Sequence, residues 1–221
     1  MKKIAIGSGL ILVLGLGFLG GAPAEAAPKI RLYLGLEGSY TFVTMESGGF
    51  NSVGDFRNQG QDGGTILGPS VHIGLEWDRM IRLDLSYRER GGLQFTTSGY
   101  SWEYPYRSTV DAATVMASLS VKILPKGAVS PYLGAGLGGT SMEGTATDLV
   151  VQGSAGGKSL TWQVEVGVQF DPLSLFSFRL GYRYVALGKI DMPLYESGLE
   201  AGNFTAALKA GEIVIEARIR I

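Results

Sequence analysis

The stretch "EIVIEARIRI", Glu212 to Ile221, sets Ile213, Ile215, Ala217, Ile219 and Ile221 at every second position, with Val214, Glu216, Arg218 and Arg220 between them. Strict alternation of this kind makes a β-strand with one apolar and one charged face. A water-soluble protein would turn the isoleucines inward, whereas a membrane barrel would turn the arginines inward. One strand does not decide between them, so the rest of the chain must.

The same period recurs seven more times. Apolar series run through "IRLYLGLEGSYTF" (Ile30, Leu32, Leu34, Leu36, Tyr40, Phe42), "LGPSVHIGLEW" (Val71, Ile73, Leu75, Trp77) and "IRLDLSYRER" (Ile81, Leu83, Leu85, Tyr87). They continue through "ATVMASLSVKI" (Val115 to Ile123), "SPYLGAGLGG" (Leu133, Ala135, Leu137), "SLTWQVEVGVQF" (Leu160 to Phe170) and "FSFRLGYRYV" (Phe176 to Tyr184). No segment keeps a helical period, so the chain beyond its leader reads as all-β.

The leader itself covers residues 1–26. "MKK" is a basic start, "IAIGSGLILVLGLGFLGG" an apolar core, and "APAEAAPK" carries an A-x-A site, so export with cleavage after Ala26 is expected and residues 27–221 form one domain. No later run is long and apolar enough for a membrane helix. With no cysteine there are neither disulfides nor thiolate metal sites, and a net charge of −1 gives no reason to expect a nucleic-acid partner. Charged residues at 18% beside 34 glycines make a poor soluble surface.

Connections alternate in length. Short ones fall at 78–80, 124–130 and 171–175, and long ones rich in Gly, Ser, Asn and Asp at roughly 45–64, 91–109, 143–158 and 188–203. In an up-and-down barrel this puts every long loop at one rim, the arrangement of outer-membrane barrels with short periplasmic turns and long extracellular loops. Both termini then fall on the periplasmic side.

Three features turn the apolar face outward. Glycines (Gly35, Gly74, Gly134, Gly136, Gly167, Gly181) crowd the polar face, where a narrow lumen needs small residues opposite large ones. Aromatics collect at two heights, with Trp77, Phe170, Phe176 and Phe178 beside the short turns and Tyr40, Phe42, Tyr87, Trp162, Tyr182 and Tyr184 toward the long loops, as in the double girdle of a lipid-facing surface. Charges of both signs share the polar face, Glu37, Glu76, Asp84, Glu165 and Glu216 against Arg31, Arg82, Arg88, Lys122, Arg179, Arg183, Arg218 and Arg220, and a confined lumen requires such pairing, which turns the terminal arginines inward. A tight turn centred on Arg79 sets Glu76 opposite Arg82.

With the leader, eight strands, "SPYLGAGLGG", "LGYRYV" and the alternating last strand, the chain resembles the small outer-membrane barrels that include the OmpA transmembrane domain, OmpX and the opacity adhesins. One departure is Ile221, where those proteins usually end on an aromatic residue. The resemblance implies a monomeric, non-enzymatic barrel without cofactor or metal, serving as an anchor, in adhesion or in envelope integrity. It would be held in lipid and lipopolysaccharide of a Gram-negative outer membrane, with loops available to an extracellular protein or glycan. An eight-stranded barrel has room inside only for side chains or one small ligand, which leaves a narrow transport or ligand-binding role as an alternative.

Some eight-stranded barrels modify lipid A with a serine–histidine–acid set, and here the single histidine, His72, shares its strand with Ser70 and Glu76. Residues two apart along a strand lie about 6.5 Å apart, too far for a direct hydrogen bond, and His72 falls on the lumen face; it reads as polar filling. In "SGYSWEYPYRS", Tyr100, Trp102, Tyr104 and Tyr106 alternate either as an exposed recognition ribbon or as rings packed on one another. "RERGG" (88–92) reads as a short basic rim.

Overall fold

The computed structural model describes residues 30–46, 65–97, 106–124, 129–147 and 151–221. The leader, the first long loop, and Tyr100, Trp102 and Tyr104 lie outside them, as does the side chain of Tyr106. Eight antiparallel strands close into a barrel in sequence order: β1 Ile30–Glu46, β2 Thr65–Trp77, β3 Ile81–Thr97, β4 Tyr106–Lys122, β5 Val129–Thr147, β6 Val151–Phe170, β7 Phe176–Glu196 and β8 Leu199–Arg220. Closure pairs Leu34 with Ile219 and Glu37 with Glu216. The all-β, eight-stranded, up-and-down transmembrane architecture read from the sequence is the one the chain adopts.

Register follows from the alternation, since a slip of one residue would turn every side chain to the other face. Leu32, Leu75, Leu83, Leu119, Leu133, Val166, Leu180 and Ile215 all lie on the outer surface, while Glu76, Arg82, Ser120, Gln169, Arg179 and Glu216 are buried inside. Two turns need a left-handed backbone. Asp78 and Arg79 (φ 49° and 59°) join β2 to β3, and Ser197 and Gly198 (φ 50° and 85°) join β7 to β8. Paired positive φ values match the right-handed twist of the flanking strands. The inner glycines make room for aromatics: a Cβ at Gly74 would lie 2.5 Å from the Tyr33 hydroxyl, and one at Gly181 would lie 2.5 Å from that of Tyr132.

The third and fourth long connections expected from the sequence are corrected, and the second narrows, since 91–97 and 106–109 are strand. Residues 143–147 and 151–158 are strand, and β7 and β8 run on to a turn of only two residues, 197–198. These strands reach 20 to 22 residues, where about 9–11 suffice to cross a bilayer. In the added length the barrel exchanges its faces. Val43, Leu93, Val110, Met142, Leu187, Ile190, Met192 and Leu208 are buried inside it, while Asp111, Glu143, Lys158, Lys189 and Asp191 lie outside. Glycine- and serine-rich composition suggested loops, but a strand with water on its outer face takes its polar residues there and its apolar ones within.

Candidate functional site

The barrel axis carries three layers. The lowest, at the end of the barrel that holds Ile30 and Ile221, is built around Asp171 in the turn after β6. Lys122 Nζ lies 2.8 Å and Arg220 Nη2 2.5 Å from its carboxylate, and Gln169 donates to it at 2.8 Å. Glu76 joins this layer through Arg220 at 3.1 Å, Arg82 at 3.3 Å and Lys122 at 3.7 Å.

In the middle layer guanidiniums lie against aromatic rings. Arg82 and Arg218 sit 4.7 and 5.0 Å from the centre of Tyr33, and Arg179 sits 3.9 Å from that of Tyr132. Cation–π contacts of this kind stabilise a charge removed from water. Arg218 also pairs with Glu216, and Arg179 donates to Gln169 at 3.0 Å and Ser120 at 2.9 Å.

The upper charged layer spans the lumen. Arg183 on β7 meets Glu37 of β1 at 2.6 Å, Glu165 of β6 at 2.7 Å and Glu212 of β8 at 3.2 Å. Arg88 pairs with Glu37 and, at 3.3 Å, with Glu212; Arg90 meets Glu212 at 2.7 Å. Arg90 also donates to Thr114 at 2.9 Å, and hydroxyls continue through Thr140 (2.9 Å) to Thr161 (2.5 Å), which donates to the Leu187 carbonyl at 3.2 Å. This hydroxyl chain marks where charge gives way to the apolar interior above.

Of the charged residues assigned to the lumen from sequence, all but Arg31, which is half-buried at the start of β1, lie inside the barrel, although Asp84 and Arg179 enter none of these ion pairs. Glu212, Arg90, Asp171, Tyr33 and Tyr132 complete the network and were not among them, whereas Arg220, expected to point inward with Arg218, does so. The basic rim expected at 88–92 is corrected: Arg88 and Arg90 point inward and are 2% and 1% exposed, because both share the parity of Arg82 on β3. Nine of the ten girdle aromatics are exposed on the outer surface, and the tenth, Tyr184, is half-buried with its ring 5.5 Å from Trp162.

His72 also departs from expectation. Its Nε2 lies 3.1 Å from Ser70 Oγ, so two residues on one strand face do meet, because side chains lean together where their Cα atoms cannot. Glu37 Oε2 lies 3.3 Å from that same nitrogen. A hydrolytic triad needs serine and acid on opposite ring nitrogens, one accepting and one donating. Here both use Nε2, which cannot accept from Ser70 while donating to Glu37, and Ser70 and His72 are buried. Ligand atoms of Glu37, His72 and Glu216 come within 4.8 Å of one another. A cation there would have to displace Arg88 and Arg183 from Glu37 and Arg218 from Glu216.

Burial raises the proton affinity of Asp171, but hydrogen bonds from Lys122, Gln169 and Arg220 outweigh it and depress its pKa to about 2 from 3.8. A depressed carboxylate pKa adds stability above the unfolded value and loses it as pH falls through the folded one. Wild type should therefore lose stability between about pH 4 and about pH 2 more steeply than Asp171→Asn, read from urea midpoints in vesicles at several pH values. Parallel curves would show that Asp171 does not hold this layer together.

A closed eight-stranded barrel with lipid-facing aliphatics and an ion-paired lumen defines a small outer-membrane barrel protein. The chain belongs to the outer membrane protein beta-barrel domain family, whose model matches residues 11–210. It is similar in fold to OprG from Pseudomonas aeruginosa, at 10% identity and TM-score 0.58, covering 86% of this chain and 95% of that one. Neisserial surface protein A is similar at 16% identity and TM-score 0.51, covering 86% and 97%. A major outer membrane protein from Thermus thermophilus is similar at 9% and 0.53, covering 86% and 99%. No curated protein matches.

Proposed function

We propose that the protein is a monomeric, non-enzymatic barrel whose lumen is sealed by charge and which acts through the segments at its distal end. The observation that carries this reading is Arg183, which ties carboxylates from β1, β6 and β8 together across the axis. With Arg88 and Arg90 it fills an interior that has room only for side chains. Against catalysis stands the geometry at His72, where serine and carboxylate compete for one nitrogen. The exposed aromatics serve as the two interfacial girdles, held against lipid and lipopolysaccharide. On this reading the leader is removed after Ala26, both termini are periplasmic, and the distal loops, including Tyr100, Trp102, Tyr104 and Tyr106, meet an extracellular protein or glycan.

Purified protein in a planar bilayer is expected to give no stable single-channel steps, and reproducible large conductance would overturn the sealed lumen. Whole-cell binding across glycans and matrix proteins, with wild type and a deletion of 98–105, tests the distal role. Binding that the deletion abolishes supports it; binding that is unchanged overturns recognition by that loop.

A further inference from the structure

The lipid-facing wall is unevenly covered. On β2 and β3 every outward position from Val71 to Trp77 and from Ile81 to Tyr87 carries a large apolar side chain. On β4 and β5 two outward positions carry alanine instead, Ala117 paired with Leu137 and Ala135 paired with Leu119. The result is an open groove of about 580 Å³ on the outer surface. Ala117 and Ala135 form its floor, Leu83 and Leu119 stand on one side, and Trp162 and Val164 on the other.

Free space continues toward the distal end. The outward position beyond Leu137 on β5 is Gly139, where a Cβ would meet only the Ser159 carbonyl, at 3.9 Å. Gly139 pairs with Leu160, and Ser141 with Lys158. Lys158 lies on the same face of β6 as Trp162, four residues distal to it, roughly 13 Å along the strand. Lys189 of β7 sits beside it, since its amide donates to Ser159 Oγ at 3.3 Å. Both lysines are exposed, and neither enters an ion pair among the described residues. Further out on the same surface lie Glu143 and Asp191, whose charge would hold an anion back at the level of the lysines.

An apolar groove that leads up to two lysines has the polarity of an anionic lipid. Trp162 belongs to the distal aromatic girdle, so the lysines stand just beyond the hydrocarbon, where headgroups lie. Lysine binds phosphate as a compact point charge. We propose that this groove is a binding site for a diphosphorylated, multiply acylated glycolipid of the lipid A class. One acyl chain lies over Ala117 and Ala135, and the phosphates meet Lys158 and Lys189. Two separate cations suit a head with two phosphates better than the single phosphate of a phospholipid. The inference sharpens the reading that the barrel is held against lipopolysaccharide, and rests on it for the source of the lipid.

The test places the barrel in phosphatidylcholine nanodiscs doped with equal traces of diphosphoryl lipid A and phosphatidylglycerol. A chelator is present, so that no metal bridge to Glu143 or Asp191 contributes. Lipid that stays with the protein on release from the disc is counted by native mass spectrometry, and lipid A is expected in clear excess over phosphatidylglycerol. Lys158→Gln with Lys189→Gln should lower lipid A retention about tenfold, as loss of a charge-assisted contact would. Ala135→Phe fills the floor of the groove with an apolar group that the lipid face tolerates, and should remove the preference. Ala217→Phe, on the outward face of β8 away from the groove, should leave it intact. Each variant is first shown to be folded by its compact electrophoretic mobility without boiling. Equal retention of the two lipids by wild type, indifference to the lysine pair or to Ala135→Phe, or an equal loss with Ala217→Phe would overturn the proposal. Retention in a nanodisc depends neither on axial conductance nor on what the distal loops bind, so the sealed lumen and loop recognition stand or fall separately.

Discussion

Glu37→Ala is expected to cost about 3–5 kcal/mol of barrel stability, because it removes from two buried guanidiniums the carboxylate they share. Arg183 and Arg88 both pair with Glu37, and all three side chains are at most 2% exposed. Arg183 keeps Glu165 and Glu212 and Arg88 keeps Glu212 at 3.3 Å, which limits the loss but does not replace the bidentate contact of Arg183 at 2.6 and 2.8 Å. Glu37→Gln retains hydrogen-bonding capacity and should cost less. Urea midpoints of refolded protein in vesicles measure both. If the alanine variant unfolds like wild type, the network is dispensable and the lumen is held by the apolar interior above it.

The second large effect tests which face meets lipid. Gln163 and Val164 are neighbours at one depth of β6; Gln163 is 5% exposed inside, donating to Ser118 at 2.9 Å, while Val164 is 47% exposed outside. Val164→Arg near the bilayer midplane should cost about 2–4 kcal/mol or block assembly. Gln163→Arg adds a cation on the side that holds the carboxylate of Glu165 and should cost less, with some added crowding. The same unfolding assay ranks them, and a worse Gln163 variant would reverse the assignment of faces.

The membrane-crossing half of the barrel was legible because its alternation is unbroken: once Ile213 to Ile219 face out, Glu216 and Arg218 must face in. The distal half was not legible, for a physical reason. From Asp111 and Glu143 onward the outer face meets water, so alternation persists with the opposite meaning, and at Leu187 a bulge in β7 shifts its phase. Val185 and Leu187 thus share a face with Ile190 and Met192 despite odd and even numbering. Ser154 to Lys158, read as loop for its glycines, is strand. Within the lumen, Asp171 was missed because it sits on a turn, and Tyr33 and Tyr132 because bulky rings on the polar parity look like errors until cations stack on them. The Ser70–His72 contact was missed because backbone spacing limits Cα atoms and not side-chain tips.

The exchange of faces along the strands also fixes how deep the molecule floats. If the barrel sank by one residue pair, charged groups such as Asp111, Glu143 and Lys189 would move toward hydrocarbon. If it rose, leucines and isoleucines below the upper aromatics would meet water. Either displacement is opposed, and the opposition comes from the whole circumference rather than from any single anchor. A bilayer of different thickness would therefore have to thin or thicken around this protein.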